Sequence, residues 1–267
     1  MGRLAWAFVR RDFLLAVSYR SAFAMQVLGI CLTVPILFYL SQVFADTKTP
    51  SLALYGGQYF PFLLLGIAFQ DYMTFSQSTF HTSIREHQLM GTFEIVLLSP
   101  TPVPLILVGS SLWGYIFTSV RFVLYILLGF AFGLNLSHAN LLSFILVTSF
   151  SVASLAALGL LTAALTLIIK RSEAITMLMT AATVALGGVM YPVSVLPLPL
   201  QWVAQLLPFT YALSGMRAAL LTGAGPEALL PELSALLGFA VLLFPLGLWA
   251  FTVAIRNTKV TGTLGQY

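Results

Sequence analysis

The sequence predicts an all-α protein that crosses a membrane several times. Of its 267 residues, 59% are hydrophobic and only 7% carry a charge, whereas about a quarter of the residues in soluble domains are charged. The charges are also bunched, and the uncharged runs between them exceed the roughly 18 residues that suggest a membrane-spanning helix. The composition therefore excludes a soluble domain and favours a polytopic membrane protein with six transmembrane helices.

The N-terminal segment, residues 1–20, predicts an amphipathic helix at the inner membrane interface. One face of this helix carries Trp6, Val9, Phe13 and Val17. The arginines at positions 3, 10 and 11 lie off that face, where they can meet anionic lipid headgroups. The alternative is a positively charged extension of the first span.

Six apolar runs predict the spans, and they occupy residues 22–44, 59–80, 103–134, 141–169, 174–190 and 233–255. An even number of spans places both termini on the same side. With the N-terminus inside, nine of the 12 Lys and Arg residues fall on the cytoplasmic side, and only Lys48 and Arg217 fall outside. We therefore expect both termini in the cytoplasm. The net charge of +4 follows from this bias and does not indicate a nucleic-acid partner.

The segment after the fifth span, residues 191–216, predicts a re-entrant hairpin on the outer side. Its prolines, Pro192, Pro197 and Pro208 among them, forbid one continuous helix. No charge occurs between residues 174 and 216, so the segment is too apolar for an ordinary exposed loop. Tyr211 adds to the aromatic side chains of this region. An interfacial loop packed on the spans is the alternative.

Two charged residues fall inside predicted spans. Asp71 interrupts the second span and Arg121 the third, and such charges are costly enough that each is a functional candidate. We predict that both line a translocation path, in which Arg121 would meet an anionic substrate. The alternatives are a structural ion pair and a side chain that snorkels to the interface. Pairing is expected only if the third span begins late, near Gly109.

A polar stretch, "REHQLMGTFEIVLLSPTP" at residues 85–102, separates the second and third spans. It predicts a short amphipathic helix at the cytoplasmic surface. Such a helix can serve as a docking element for another protein, with acidic and apolar side chains that fit a partner's groove. A simple re-entry helix that turns the chain around is the alternative, and composition alone does not separate the two.

The same stretch resembles the signature "ERE-x-GT-[LF]-E-x-LL-x-[ST]-P" of the type-2 ABC transporter permeases. The matching positions are Arg85, Glu86, Gly91, Thr92, Phe93, Glu94, Leu97, Leu98, Ser99 and Pro100. Upstream, "YFPFLLLGIAF" resembles the start of the family's second span, and downstream "LPFTYALSGMR" resembles its outer hairpin. His87 departs from the pattern, since the family often has Arg or Glu there.

The resemblance implies that residues 85–100 form a coupling helix seated on a separate ABC ATPase subunit. It further implies two ATPase copies, a second permease copy or a paralogue, and a prokaryotic inner membrane with its lipids around them. ATP and Mg would be bound by the ATPase, because this chain has no phosphate-binding G-x-x-x-x-G-K-[ST] motif. In this chain we expect no catalytic site, cofactor or metal. Gly91 is expected to allow a close backbone approach, and Thr92 to cap the second half of the segment.

The expected activity is outward movement of a lipid, a glycan-lipid or a hydrophobic drug by alternating access. Two other classes remain as alternatives. A secondary transporter would usually show internal repeats with broken helices in matching positions, and a non-transporting assembly protein would show no substrate-stimulated ATP hydrolysis. An intramembrane enzyme is disfavoured, since the histidines have no metal-ligand spacing and Cys31 has no nearby histidine in sequence.

Overall fold

The computed structural model describes residues 2–18, 20–44, 57–92, 95, 98, 103–168 and 172–261. Within these residues the regular elements are all helical. In chain order they are α1 (Gly2–Ser18), α2 (Arg20–Val43), α3 (Tyr59–Leu89), α4 (Val103–Ala131), α5 (Leu141–Ile168), α6 (Ser172–Leu186), a 3-10 turn (Val193–Val195), α7 (Leu198–Gln205), α8 (Pro208–Arg217), a π turn (Ala218–Thr222) and α9 (Leu230–Thr261).

Four of the described helices, α2, α4, α5 and α9, are long and apolar enough to cross a membrane. They expose many large apolar side chains, among them Leu32, Ile36, Val241 and Leu242, as helices facing lipid do. The all-α multi-pass prediction is confirmed to this extent. Neither α3, which carries Gln70 and Asp71, nor α6, which has 15 residues, is among the four. The count of six spans therefore stays a prediction.

The bounds of two predicted spans differ from those of the helices. The second was expected to end at residue 80, but α3 continues to Leu89. Polar residues past that point, such as His81 and Gln88, are buried against neighbouring helices, so the change in composition does not end the helix. The fifth was expected to reach residue 190, but α6 ends at Leu186, where Gly187 and Gly188 follow.

Helix α3 lies at the centre of the described structure and buries 17 of its 31 residues. It packs against α4 on one side and α5 on another, and α5 packs along α9. A large core cluster surrounds its N-terminal half, and a second cluster that includes Phe80, Ile84, Leu107 and Phe251 surrounds its C-terminal half. The polar side chains of α3 are therefore enclosed by apolar helices.

Helix α1 packs against α4. The rings of Phe13 and Trp113 meet edge to face with 5.3 Å between their centroids. The ring of Phe8 occupies the space that a Cβ atom on Gly109 would need. The amphipathic helix expected at residues 1–20 is thus held by α4, while its depth in the membrane stays a prediction.

Candidate functional site

The C-terminal end of α3 carries the first residues of the predicted coupling segment. Arg85 and Glu86 lie in the last two turns of α3 rather than in a separate helix. Between Thr92 and Val103, only Ile95 and Leu98 are described, and both are helical and exposed. The other coupling residues, Phe93, Glu94, Leu97 and Pro100, lie outside the described residues.

Gly91 ends α3 with a Schellman motif. Its φ is +66°, a conformation that favours glycine. The amide of Gly91 donates to the carbonyl of Gln88, and the amide of Thr92 donates to that of His87 at 2.9 Å, which is the paired pattern of this motif. A Cβ atom on Gly91 would meet no atom of the described residues within 4 Å. The positive φ favours glycine here, and the close backbone approach expected at Gly91 stays a prediction.

His87 and Thr92 close the same turn with a side-chain contact. Nδ1 of His87 lies 3.0 Å from Oγ1 of Thr92. The hydroxyl of Thr92 thus contacts the end of α3, and its expected capping of the following segment stays a prediction. Burial lowers the pKa of His87, while the charge of Glu86 raises it and that of Arg11 lowers it further. The imidazole is therefore neutral near pH 7.

The two charges that fall inside predicted spans form an ion pair. Nη2 of Arg121 lies 2.8 Å from Oδ2 of Asp71, with 30% and 25% of the respective side chains exposed. Below the pair, hydrogen bonds continue the polar contact between α3 and α4: Tyr72 donates to Ser119, and Tyr115 donates to Ser76. The pairing satisfies two charges that would each be costly alone in the membrane.

This pairing does not need the late start of the third span that the sequence led us to expect. It was expected only if the third span began near Gly109, yet α4 begins at Val103. Asp71 lies 18 residues before the end of α3 at Leu89, and Arg121 lies 18 residues after the start of α4. At about 1.5 Å per residue both stand about 27 Å from the inner turn. The error came from ending the second span at residue 80.

A break in helical structure follows α6. Pro192 precedes the 3-10 turn, Pro197 precedes α7, and Pro208 is the first residue of α8. The ring of Tyr211 packs near that of Phe239 in α9, with 6.0 Å between centroids. The structure thus has two short helices at residues 191–216, and their re-entry into the membrane stays a prediction.

Arg217 joins this break to α3. Its guanidinium donates to the carbonyls of Gly188 and Val189, both at 2.7 Å, and to that of Phe62 in the first turn of α3 at 3.2 Å. The guanidinium carbon also lies 3.5 Å from the centroid of the Phe62 ring, within the range of a cation–π interaction. The hydroxyl of Tyr59 donates to the next carbonyl, that of Met190, at 3.0 Å. Carbonyls that the break leaves without helical partners are satisfied in this way, as a low-dielectric surrounding requires.

The role of Arg217 was not predicted from the sequence. The residue was expected to be an outer-side cation, but its side chain is only 2% exposed. One signal was present: Arg217 is the first charge after the proline-broken, uncharged run that starts at residue 174. A lone cation at such a place indicates a partner among the free carbonyls of the break. The partner on α3 is 155 residues away, and no local pattern indicates it.

Comparison with protein families decides the assignment. The family model of the ABC-2 type transporter matches residues 3–221, most of the chain. The chain belongs to the ABC-2 type transporter family. The resemblance drawn from residues 85–100 is thereby confirmed, and this ABC-2 protein is a membrane-spanning permease subunit of an ABC transporter. No curated protein matches the chain.

Proposed function

We propose that this permease works in an ATP-driven exporter with a separate ABC ATPase. Two ATPase copies bind ATP and Mg, and a second permease copy or a paralogue completes the membrane part in a prokaryotic inner membrane. The cargo is a lipid, a glycan-lipid or a hydrophobic drug, moved outward by alternating access. Both termini face the cytoplasm.

The single observation that carries this proposal is the continuity of α3. It is one helix of 31 residues from Tyr59 to Leu89, about 46 Å long at 1.5 Å per residue. Its inner end carries Arg85 and Glu86, and its outer end is held to the break after α6 by Arg217. A displacement of the inner end is transmitted to the outer break, because one uninterrupted helix connects them.

The ATPase contact is proposed for the segment that follows α3. Gly91 ends α3 sharply and directs the chain away from the helix axis. The residues that match the family signature beyond this turn, Phe93, Glu94, Leu97 and Pro100, would sit in a cleft of the ATPase. A short, well-defined turn suits a lever, since a flexible connection would absorb the movement.

The test is co-purification of this chain with candidate ABC ATPases, followed by ATP hydrolysis in lipid with and without candidate cargo. We expect a stable complex whose hydrolysis rate responds to lipids, glycolipids or hydrophobic drugs. A complex that hydrolyses ATP without any response would favour the assembly protein. Transport by the chain alone, driven by an ion gradient, would favour the secondary transporter.

A matched pair of charge reversals tests the coupling segment. Glu94→Arg should lower ATPase binding and cargo-stimulated hydrolysis together, because a carboxylate at the proposed contact is replaced by a cation. Glu227→Arg is the control: Glu227 is exposed in the connection before α9, on the predicted outer side. If both variants bind the ATPase as the parent does, the coupling role of residues 93–100 is wrong.

A further inference from the structure

Two cavities adjoin beside α1, where it packs against α4. The first, which we call the hydroxyl cavity, has a volume of about 640 Å³. Five hydroxyl side chains line it, those of Ser78, Thr79, Thr82, Ser83 and Ser110. Its charged lining consists of Arg11, Asp12 and Glu86, and His87 also contributes. The function proposed above uses none of the hydroxyl groups.

The second cavity, which we call the aromatic groove, has a volume of about 490 Å³. Its walls come from α1, α2 and α4, and are formed mainly by Phe13, Val17, Phe23, Trp113, Phe117 and Val120. Two polar side chains from the start of α2, Arg20 and Gln26, also line it. Trp113 lines both cavities. Each volume falls within the roughly 300–1,000 Å³ of ligand-binding cavities.

The two cavities follow each other along α4. Ser110, Trp113 and Gly114 line the hydroxyl cavity, and Trp113, Phe117 and Val120 line the aromatic groove. The groove thus extends about 15 Å farther than Ser110 from the start of α4 at 1.5 Å per residue. Since the start of α4 follows the inner turn, the polar cavity lies nearer the membrane surface and the apolar groove lies deeper. A phospholipid has the same order, with a polar headgroup at the surface and acyl chains below.

The charges of the hydroxyl cavity indicate which headgroup fits. Arg11 offers one cation for a phosphate, and Asp12, whose Oδ1 lies 2.7 Å from Nε of Arg11, and Glu86 offer two carboxylates. A purely anionic headgroup would meet two negative charges for one positive charge. A primary ammonium can donate to Glu86 and to the hydroxyl oxygens, whereas a trimethylated amine has no proton to donate.

We propose that the hydroxyl cavity and the aromatic groove together form a binding site for an amine-headed phospholipid of the adjacent leaflet. The phosphate contacts Arg11, the ammonium contacts Glu86 and the hydroxyl groups, and an acyl chain lies along Phe117 and Trp113. This site does not depend on the proposed export activity, because a bilayer lipid would occupy it whatever the cargo.

Fluorescence quenching of Trp113 tests the site directly. The other tryptophans, Trp6, Trp202 and Trp249, are all exposed and can be replaced by Phe, which leaves Trp113 as the sole indole. The full chain is placed in phosphatidylcholine nanodiscs that contain a small fraction of lipid brominated on its acyl chains. We expect brominated phosphatidylethanolamine to quench at a mole fraction about three- to tenfold lower than brominated phosphatidylcholine or phosphatidylglycerol, as one solvent-exposed net hydrogen bond gives.

A near-isosteric double variant removes the preference without filling the cavity. Thr82→Val with Glu86→Gln should bring the three brominated lipids to equal quenching. The matched control is Thr252→Val with Glu227→Gln, at two exposed positions outside the site, which should keep the preference. Thermal melting shows whether each variant is folded. Equal quenching of the parent by all three lipids, strongest quenching by phosphatidylglycerol, or an unchanged preference in the double variant would each overturn the proposal.

Discussion

The guanidinium of Arg217 occupies the space that a side chain on Gly66 would need. The carbonyl oxygen of Val189 limits the same space from another direction. Three parts of the chain, the first turns of α3, the break after α6 and the end of α8, therefore meet at one point. Any change that separates them leaves buried polar groups without partners, which costs more than the contacts alone.

Gly66→Ala should destabilise the protein by about 1–3 kcal/mol, as overpacking in a close-packed interior does. The added methyl group meets backbone as well as side-chain atoms, so a rotamer change alone does not relieve it. The control is Gly238→Ala in α9, where a Cβ atom meets no described atom within 4 Å. That variant should be neutral or stabilised by up to about 1 kcal/mol. Thermal unfolding of both in the same lipid is the measurement, and equal melting temperatures would contradict the close contact.

Arg217→Lys should lower the melting temperature although it keeps the charge. An ammonium on a single stem does not reach the three carbonyls that the planar guanidinium contacts. We expect a loss of about 2–4 kcal/mol, since each hydrogen bond to a charged group contributes about 1.5–3 kcal/mol. Arg256→Lys, at an exposed position of α9, is the control and should melt like the parent. Parent-like melting of both variants would show that the guanidinium shape does not matter.

Asp71→Asn and Arg121→Gln should each destabilise the protein by up to about 3 kcal/mol, because each leaves a partly buried charge without its partner. The double variant should recover most of that stability. If the pair is only structural, transport by the double variant should also recover. Recovered stability without transport would instead support a role in the translocation path. A double variant no more stable than either single one would contradict the pairing.

The stability of the turn at His87 should fall as the pH falls. The pKa of His87 is lowered in the folded protein from 6.5, so the unfolded chain takes up its proton first. The stabilisation of the folded protein by neutral His87 is complete above pH 6.5, and it is lost as the pH falls through the lowered pKa. The melting temperature of His87→Gln should therefore fall less than that of the parent when the pH is lowered from about 7.5 to about 5. His138→Gln, in the exposed turn before α5, should keep the parental loss. An identical loss in all three proteins would contradict the prediction.

Composition and proline placement were enough to predict several elements. Helix α5 begins at Leu141, the first residue of the predicted fourth span, because a charge-free run follows the turn residues before it, and the described part of α4 begins at Val103. The interruption after α6 follows from Pro192, Pro197 and Pro208, whose rings do not fit one helix. The family could also be recognised, since the signature at residues 85–100 has a specific order.

Other features depend on contacts between distant residues. Helix α3 ends later than residue 80, where the second span was expected to end. His81 contacts Thr166 of α5, and in the sequence a polar residue with such a buried partner cannot be told from a loop residue. The contact between Arg217 and Phe62 likewise depends on how α8 packs. Local patterns describe one helix at a time, so such pairings are outside their reach.

The polar character of α3 has a consequence for biogenesis. A newly made chain that ends after α3 would offer the insertion machinery a segment with Asp71 at its middle, at a cost of about 2.5–3.5 kcal/mol on insertion scales. Only when α4 emerges does Arg121 become available to that carboxylate. We therefore expect α3 to enter the bilayer as a hairpin with α4, and glycosylation mapping of chains truncated before and after residue 131 would reveal the order. Translation past α4, rather than the apolar content of α3 itself, would then commit the growing chain to its topology.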